Sequence, residues 1–512
     1  MLAWIKDYLS NRQGLVKVNG MRSHSKSLEN GVPQGGVLSP TLFLIFINDI
    51  KEHVSRKVYP ALYADDLALI ATEEEVGTAQ VRLQTTLDNL SSWTKDWGLK
   101  INQQKTTYTL FSLSTKCHPV RLKVDDYSLD KDDRPTYLGV TFDPRLTWKD
   151  QVESCQRKGL KRTALVKKLA GSQWGAHHSI IKQAYQGYVR PILEYGIASW
   201  GDTASGNFQK AERIQNMNLR AMTGGMKTTP ITAMESLSGI PSLKDRRDAK
   251  VLIQDEKFKR TPAHPMKEHY REKPKSRLKR TSFMHNKTSL RKSLDIVTEE
   301  EPSPVIVVNP LPPLIERKTP DIIGSIKGIE TKNTMAPEDI LEKTIEMLDD
   351  KYPNNQWIRI YTDGSATDAV KNGGAGIFIE WLNGTKESVS IPTGSNCSNY
   401  KAEATALEKA ATMIMKAPET PSSKVVFLTD AKSVLQALQS NKNLYSNLSG
   451  LLVELADRLP RVVLQWIPGH CQIPGNDKAD LLAKQGSAME QEVTEMSLEE
   501  AKTQIKINFR NR

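Results

Sequence analysis

The sequence predicts a multidomain protein of the α+β and α/β classes, and three observations carry that prediction. At 512 residues the chain exceeds what one core usually organises. Helical periodicity dominates residues 146–255. From Gln356 the pattern becomes strand, strand, strand, helix, strand, helix, helix, strand, helix, the order of a mixed five-stranded sheet with helices. The expected domains are therefore 1–145, 146–255, a basic then acidic proline-containing linker at 256–355, 356–487, and a tail at 488–512.

Composition narrows the classes of function. Cys117, Cys155, Cys397 and Cys471 are far apart and form no C-x-x-C pair, which argues against a disulfide framework or zinc site and for an intracellular, reducing setting. The longest apolar run, Leu42–Ile47, is too short to span a bilayer, and the first residues read as no signal peptide, so membrane and secretion are not expected. The net charge of +12 is uneven: residues 356–512 hold 17 basic and 17 acidic side chains, whereas 257–292 hold 13 and 2. The run Lys273–Arg280 suits phosphate contact as well as it suits a solvated linker or an import signal.

In chain order, Trp4, Ile5, Tyr8 and Leu9 recur at helical spacing with no cap before them, so structure is expected upstream. Gly31-Val32-Pro33-Gln34-Gly35-Gly36 is a turn-rich loop, Ser39-Pro40 leads into an apolar helix over Thr41–Ile50, and Val58–Ile70 forms a hairpin around Tyr63-Ala64-Asp65-Asp66. Adjacent acids inside an apolar hairpin are expected to be paired or metal-bound, because a bare buried carboxylate is costly. The ordered motifs G-V-P-Q-G, L-S-P-x-L-F-x-x-x-I-N-D and Y-A-D-D, then Gly98–Asn102, Lys105-Thr106 and Tyr137–Val140, resemble the palm of a non-LTR, jockey-like retrotransposon reverse transcriptase over about 1–145.

That resemblance implies catalytic, metal-binding roles for Asp65 and Asp66, template or nucleotide contact by Pro33, Gln34 and Gly35, and Lys105 near the triphosphate of a dNTP. The family also needs an aspartate on an earlier strand, together with fingers, and neither is present; Gly36 stands where serine is more usual. The polymerase part is thus expected to be truncated, inactive alone and active only within a longer parent chain.

Beyond it, Trp148, Val152 and Cys155 share one helical face, Ile181, Ala184 and Tyr188 another, and Phe208, Ala211 and Ile214 a third before Gly224-Gly225. By resemblance these are thumb and connection helices. Arg213 and Arg220 fall on one side, suiting either a duplex backbone or water. His177-His178 and Cys117-His118 lack further ligands and read as structural. Pro310, Pro312, Pro313 and Pro320 mark the linker, interrupted by an amphipathic helix over Pro337–Asp350.

The C-terminal part places acids at the ends of elements. Asp363 ends an apolar strand, Glu403 opens a helix, Asp430 follows the strand Lys424–Thr429, and Asp480 lies on a helix near Ile473–Lys484, ten residues after His470. The motifs T-D-G-S, A-E-x-x-A, T-D-A and W-I-P-G-H-x-x-x-x-G-N-D-x-A-D resemble a type 1 ribonuclease H over about 357–487. The resemblance implies metal-dependent, endonucleolytic hydrolysis of RNA in RNA–DNA hybrids. Two Mg²⁺ (or Mn²⁺) ions about 4 Å apart would be held by Asp363, Glu403, Asp430 and Asp480. His470 would assist proton transfer or product departure. Gly364, Ser365, Asn399 and Thr429 would contact the RNA strand, read by shape and 2′-hydroxyls. Expected partners are the hybrid, an RNA template and DNA, with no small-molecule cofactor beyond metal and dNTP. A basic helical handle found in some relatives is missing around Ser440–Leu444, so residues 1–355 are expected to supply grip. A catalytically silent nucleic-acid-binding remnant is the alternative.

Overall fold

Pro40 in the first turn presets the backbone dihedral of an apolar helix, α1 (Ser39–Ile47), which continues as a tighter 3₁₀ turn over Asn48–His53. The structure, a computed structural model, describes residues 2–116, 118–171, 175–262, 264–269, 282–294, 318–329, 335–417, 423–439 and 446–510. The run Lys273–Arg280, Pro310, Pro312, Pro313, Cys117 and Ser440–Leu444 lie outside them. Among the described residues no helix is long and apolar enough to cross a membrane. The chain divides into two units, Met1–Gly196 with Thr203–Lys227, and Ile197–Asp202 with Thr228–Arg512.

In the first unit, strands β1 (Val58–Tyr63) and β2 (Asp66–Ala71) form a two-stranded antiparallel sheet. Tyr63 pairs with Asp66, so Ala64 and Asp65 make the turn, with Ala64 at φ 51°. The hairpin's apolar flanks predict buried acids, but Asp65 and Asp66 are exposed, so no desolvation cost obliges them to be paired or metal-bound. Helix α2 (Val76–Asp96) packs Leu90 and Trp93 on Ile47 and Ile50, and Leu87 on Leu122, Val124 and Leu129.

Helices α3 (Lys149–Leu169) and α4 (Ser205–Thr223) meet through Gly159, whose missing side chain lets Ile214 approach; a Cβ there would stand 3.1 Å from Ile214. Asn218 on α4 donates to the Thr163 hydroxyl at 2.8 Å, tying the two helices through buried polar side chains. Tyr188 is exposed, contrary to the face read from sequence. A π-helical turn at Tyr185–Val189 inserts an extra residue, so Ile181, Tyr185 and Val189 point inward instead.

The second unit begins with helices. The region expected to be a linker contains the last residues of α5 (Leu243–Arg260), then α6 (Phe283–Leu294), an edge strand β3 (Asp321–Ile323) and α7 (Pro337–Lys351). Four of the basic residues of 257–292 are held internally: Lys259 and Lys287 pair with Asp255 at 3.7 and 3.1 Å, Arg260 with Glu256 at 3.1 Å, and Arg291 with both acids. Those four are therefore structural ion pairs, not free phosphate ligands.

Then come β4 (Trp357–Thr367), β5 (Lys371–Glu380), β6 (Lys386–Asn396), α8 (Asn399–Lys416), β7 (Lys424–Thr429), α9 (Lys432–Gln439), α10 (Ser446–Arg458), β8 (Arg461–Trp466), α11 (Pro474–Ala488) and α12 (Leu498–Arg510). The sheet has six strands in the order β3-β8-β7-β4-β5-β6, one more than expected, because β3 adds in parallel to β8. Strand alternation sorts its two faces. Ile358, Ile360, Val425 and Phe427 pack with Leu407, Ala411 and Ile414 of α8 and Leu448, Leu452 and Leu455 of α10. Trp357, Tyr361, Val426 and Leu428 pack with α7 and α11.

Ile326, Ile329, Ile340, Met347 and Leu348, all N-terminal to the expected domain start, belong to that second core. At roughly 2 kcal/mol for each buried aliphatic side chain their removal exposes on the order of 10 kcal/mol, an upper figure comparable with the whole stability of a typical domain. A fragment of residues 356–512 is therefore expected to lack the cooperative melting that residues 318–512 display by circular dichroism.

Candidate active site

Asp363 lies in β4, beside Gly376 of β5, and one residue beyond Thr362, which pairs with Thr429 of β7. Asp430 follows Thr429 directly, so the two acids emerge side by side from adjacent parallel strands, on the face shared by Tyr361 and Leu428. Asp480 approaches on the same face. Its helix α11 crosses β5 at Gly376, where a Cβ would stand 2.0 Å from Ala479 O. Glu403 comes from the opposite layer: the first turns of α8 pass so close to Gly364 that a Cβ there would lie 2.2 Å from Glu403 N.

Electrostatics record this convergence. Asp363 is 8% exposed, and its Oδ1 accepts the Gly364 N–H at 2.7 Å. Burial, then the charge of Asp430, then those of Asp480 and Glu403 push its carboxyl up to about 8, against the hydrogen bond from Gly364. Burial and Asp430 push Glu403 up to about 7. Asp480 is paired with Lys484 at 2.6 Å, an i,i+4 contact that holds the ammonium above its ordinary range. Among the described residues no three His, Cys, Asp or Glu side chains already converge at metal-ligand distance. The donor chemistry nevertheless fits a hard divalent cation, since oxygen ligands dominate and a cation offsets the burial and the mutual repulsion that raise Asp363 and Glu403.

His470 is exposed on a turn at φ 57°, and Gly469 before it leaves room for Asp430: a Cβ there would meet Asp430 Oδ2 at 1.8 Å. Gly364 and Ser365 are half-buried and Asn399 is exposed at the start of α8. Thr429 departs from its expected role. It is 1% exposed and its hydroxyl accepts the Ala431 N–H at 3.2 Å, capping the turn into α9 rather than facing solvent.

In the first unit, Pro33 O accepts from the Ser39 hydroxyl at 2.5 Å, Gly35 has φ 87°, and Gln34 and Lys105 are exposed. Tyr137 donates to Ala61 O at 2.9 Å, bracing the hairpin from below, and burial with the nearby Asp66 charge raises its phenol. Asp65 and Asp66 acquire no third acid at ligand distance among the described residues. Sequence reasoning missed Lys484, legible as the i+4 partner of Asp480, and Gly376, legible in the run Gly373-Gly374-Ala375-Gly376.

Residues 1–142 match the family model of reverse transcriptase (RNA-dependent DNA polymerase), and residues 355–488 that of RNase H. The chain is 34% identical over 228 residues to a probable RNA-directed DNA polymerase from transposon BS of Drosophila melanogaster, covering 43% of this chain and 25% of that one. It is 31% identical over 143 residues to ribonuclease H1 of Mus musculus, covering 25% of this chain and 49% of that one. RNase H1 of the archaeon Halobacterium salinarum NRC-1 aligns at 18% identity over 25% of this chain and 96% of its own, with a TM-score of 0.22. The chain spans about a quarter of the length of the transposon-encoded relative. It thus joins a region matching reverse transcriptases to one matching RNase H.

Proposed function

We propose that the second unit hydrolyses the RNA strand of RNA–DNA hybrids at internal positions, with Mg²⁺ or Mn²⁺ held by Asp363, Glu403, Asp430 and Asp480. The observation that carries the reading is geometric: Asp363 and Asp430 leave adjacent parallel strands side by side, while α8 with Glu403 and α11 with Asp480 pack against Gly364 and Gly376. Bound cations supply charge neutralisation at the phosphoryl oxygens and a more acidic attacking water. Asp363 feels the charges of Asp430, Asp480 and Glu403 and would be the carboxylate shared by the bound cations, with the other three acids completing their ligands. His470 moves a proton to or from the cleaved end, its exposed turn giving the imidazole access to both solvent and substrate. Gly364, Ser365 and Asn399 border the acids and contact the RNA strand. Without bulky side chains at the first two positions, the backbone can follow the minor-groove surface where 2′-hydroxyls lie.

The first unit contributes binding to template RNA, DNA and dNTP through Pro33, Gln34, Gly35, Lys105 and the Asp65–Asp66 hairpin. The exposed two-stranded hairpin supports this reading. Buried free thiols at Cys155, Cys397 and Cys471 suit an intracellular setting.

The test is incubation of the full chain with an end-labelled RNA–DNA hybrid, duplex DNA and single-stranded RNA, in Mg²⁺, Mn²⁺ or chelator. Internal cuts confined to the hybrid's RNA strand and abolished by chelator are expected. Binding without metal-dependent cleavage would identify a silent remnant instead.

A further inference from the structure

The start of α8 is closed from outside the helix. Its N-cap Ser398 is extended, and the Ser398 hydroxyl accepts the Lys401 N–H at 3.2 Å. The Ser398 N–H itself reaches Glu500 Oε1 at 3.1 Å, a residue 102 positions later in the chain. Glu500 is 2% exposed and sits in the first turn of α12. Its Oε2 accepts the Ser497 N–H at 2.8 Å, while the Ser497 hydroxyl accepts the Glu500 N–H at 3.3 Å, a reciprocal capping box. A single carboxylate therefore serves the N-termini of two helices, with the Lys401 ammonium 3.9 Å away.

Other contacts fix this carboxylate in space. Residues 491–494 are laced to β6 by Ser395 N–H to Glu492 O at 2.9 Å, Gly394 N–H to Gln491 Oε1 at 2.8 Å, and Asn396 Nδ2 to Thr494 O at 2.8 Å. Arg260 donates to Met496 O, and Ile505 and Phe509 of α12 pack with Val251, Leu252 and Leu290 of α5 and α6. On its sheet side α8 is set against Gly364.

We propose that Glu500 is a positioning residue for Glu403: by gripping the Ser398 N–H it fixes the height of the first turns of α8 over Asp363. The C-terminal helix and the α5–α6 layer beneath it then belong to the frame of the nuclease site. The cleavage arm rests on the hydrolase reading above and the Mg²⁺ arm on its metal site, whereas amide exchange rests on neither.

Glu500→Gln in the full chain tests it, because an amide offers one acceptor oxygen where the carboxylate offers two. Backbone amides of residues 398–404 are expected to exchange with deuterium about tenfold faster, and the calorimetric midpoint for Mg²⁺ alone to rise about threefold or more, with hybrid cleavage recovering at high Mg²⁺. Glu499→Gln, on the exposed neighbour paired with Lys502, is the control and leaves all three unchanged. Glu500→Asp, one methylene shorter, shifts exchange in the same stretch by a smaller factor and serves if the glutamine variant does not fold. Parental exchange at 398–404 together with a parental Mg²⁺ midpoint would overturn the proposal. Faster exchange and weaker Mg²⁺ binding in a chain that never cleaves hybrid would uphold it while refuting the hydrolase reading.

Discussion

Asp363→Asn is expected to abolish metal-dependent hybrid cleavage, by roughly a thousandfold or more, and to make the second unit more heat-stable above neutral pH. The first effect follows from position: Asp363 lies within the fields of all three other acids, so no neighbour replaces it. A thousandfold corresponds to about 4 kcal/mol of transition-state stabilisation, the scale at which one preorganised electrostatic contact is felt. The second effect follows from the elevated carboxyls. An acid whose folded value stands above its unfolded one binds its proton more tightly when folded. Its stabilising contribution is complete below about pH 4 and is lost as pH rises through about 7 for Glu403 and about 8 for Asp363. In chelator the melting temperature of the parent should therefore fall between pH 5 and 9, and Mg²⁺ should restore it. The asparagine variant carries no such proton, so its melting temperature should exceed the parent's at pH 9 by on the order of 5 °C. A variant that loses activity and stability together at that pH would refute the buried-charge account.

Gly376→Ala should damage the same site without touching an acid. The new methyl would stand 2.0 Å from Ala479 O and 2.4 Å from Ala483 N, both helix backbone, so α11 must move rather than a side chain turn. Overpacking of this kind costs about 1–3 kcal/mol. Displacement of Asp480 by about 1 Å reduces a metal-assisted rate on the order of a hundredfold. The control is Gly450→Ala in α10, where a Cβ meets nothing within 4 Å. That change should leave cleavage intact and raise stability slightly, by about 0.5–1 kcal/mol. Cleavage by Gly376→Ala at the parental rate would show that α11 yields without carrying Asp480 away.

Much of this arrangement could be read along the chain because the acids sit on elements with strong local periodicity, although the strand expected to end at Asp363 runs on to Thr367. The strand expected at Lys424–Thr429 has those bounds, and the helix expected near Ile473–Lys484 spans Pro474–Ala488. What escaped notice depends on distant partners. Asp321-Ile322-Ile323 is too short to announce a strand and finds its register only against Val463–Gln465. Glu500 looks like one more charge on an exposed tail until Ser398 comes to it. A 3.6-residue spacing turns Tyr188 inward, and a single π turn upsets that spacing. The apolar hairpin Val58–Ile70 suggests buried acids, yet a two-residue turn puts Asp65 in solvent regardless of its neighbours.

The two rims of the six-stranded sheet are finished by segments lying on either side of the family-matched stretch in sequence. On one rim β3 offers only three residues, with Asp321 engaged by Arg461 at 3.2 Å. On the other, residues 491–494 occupy polar groups of Gly394, Ser395 and Asn396 along β6. An open strand edge is a template for pairing with another chain, and short or covered edges remove that template. Outgrowth of the sheet into fibrils or strand-exchanged oligomers is thereby disfavoured at the three-residue β3 on one rim and at the 394–396 end of β6 on the other.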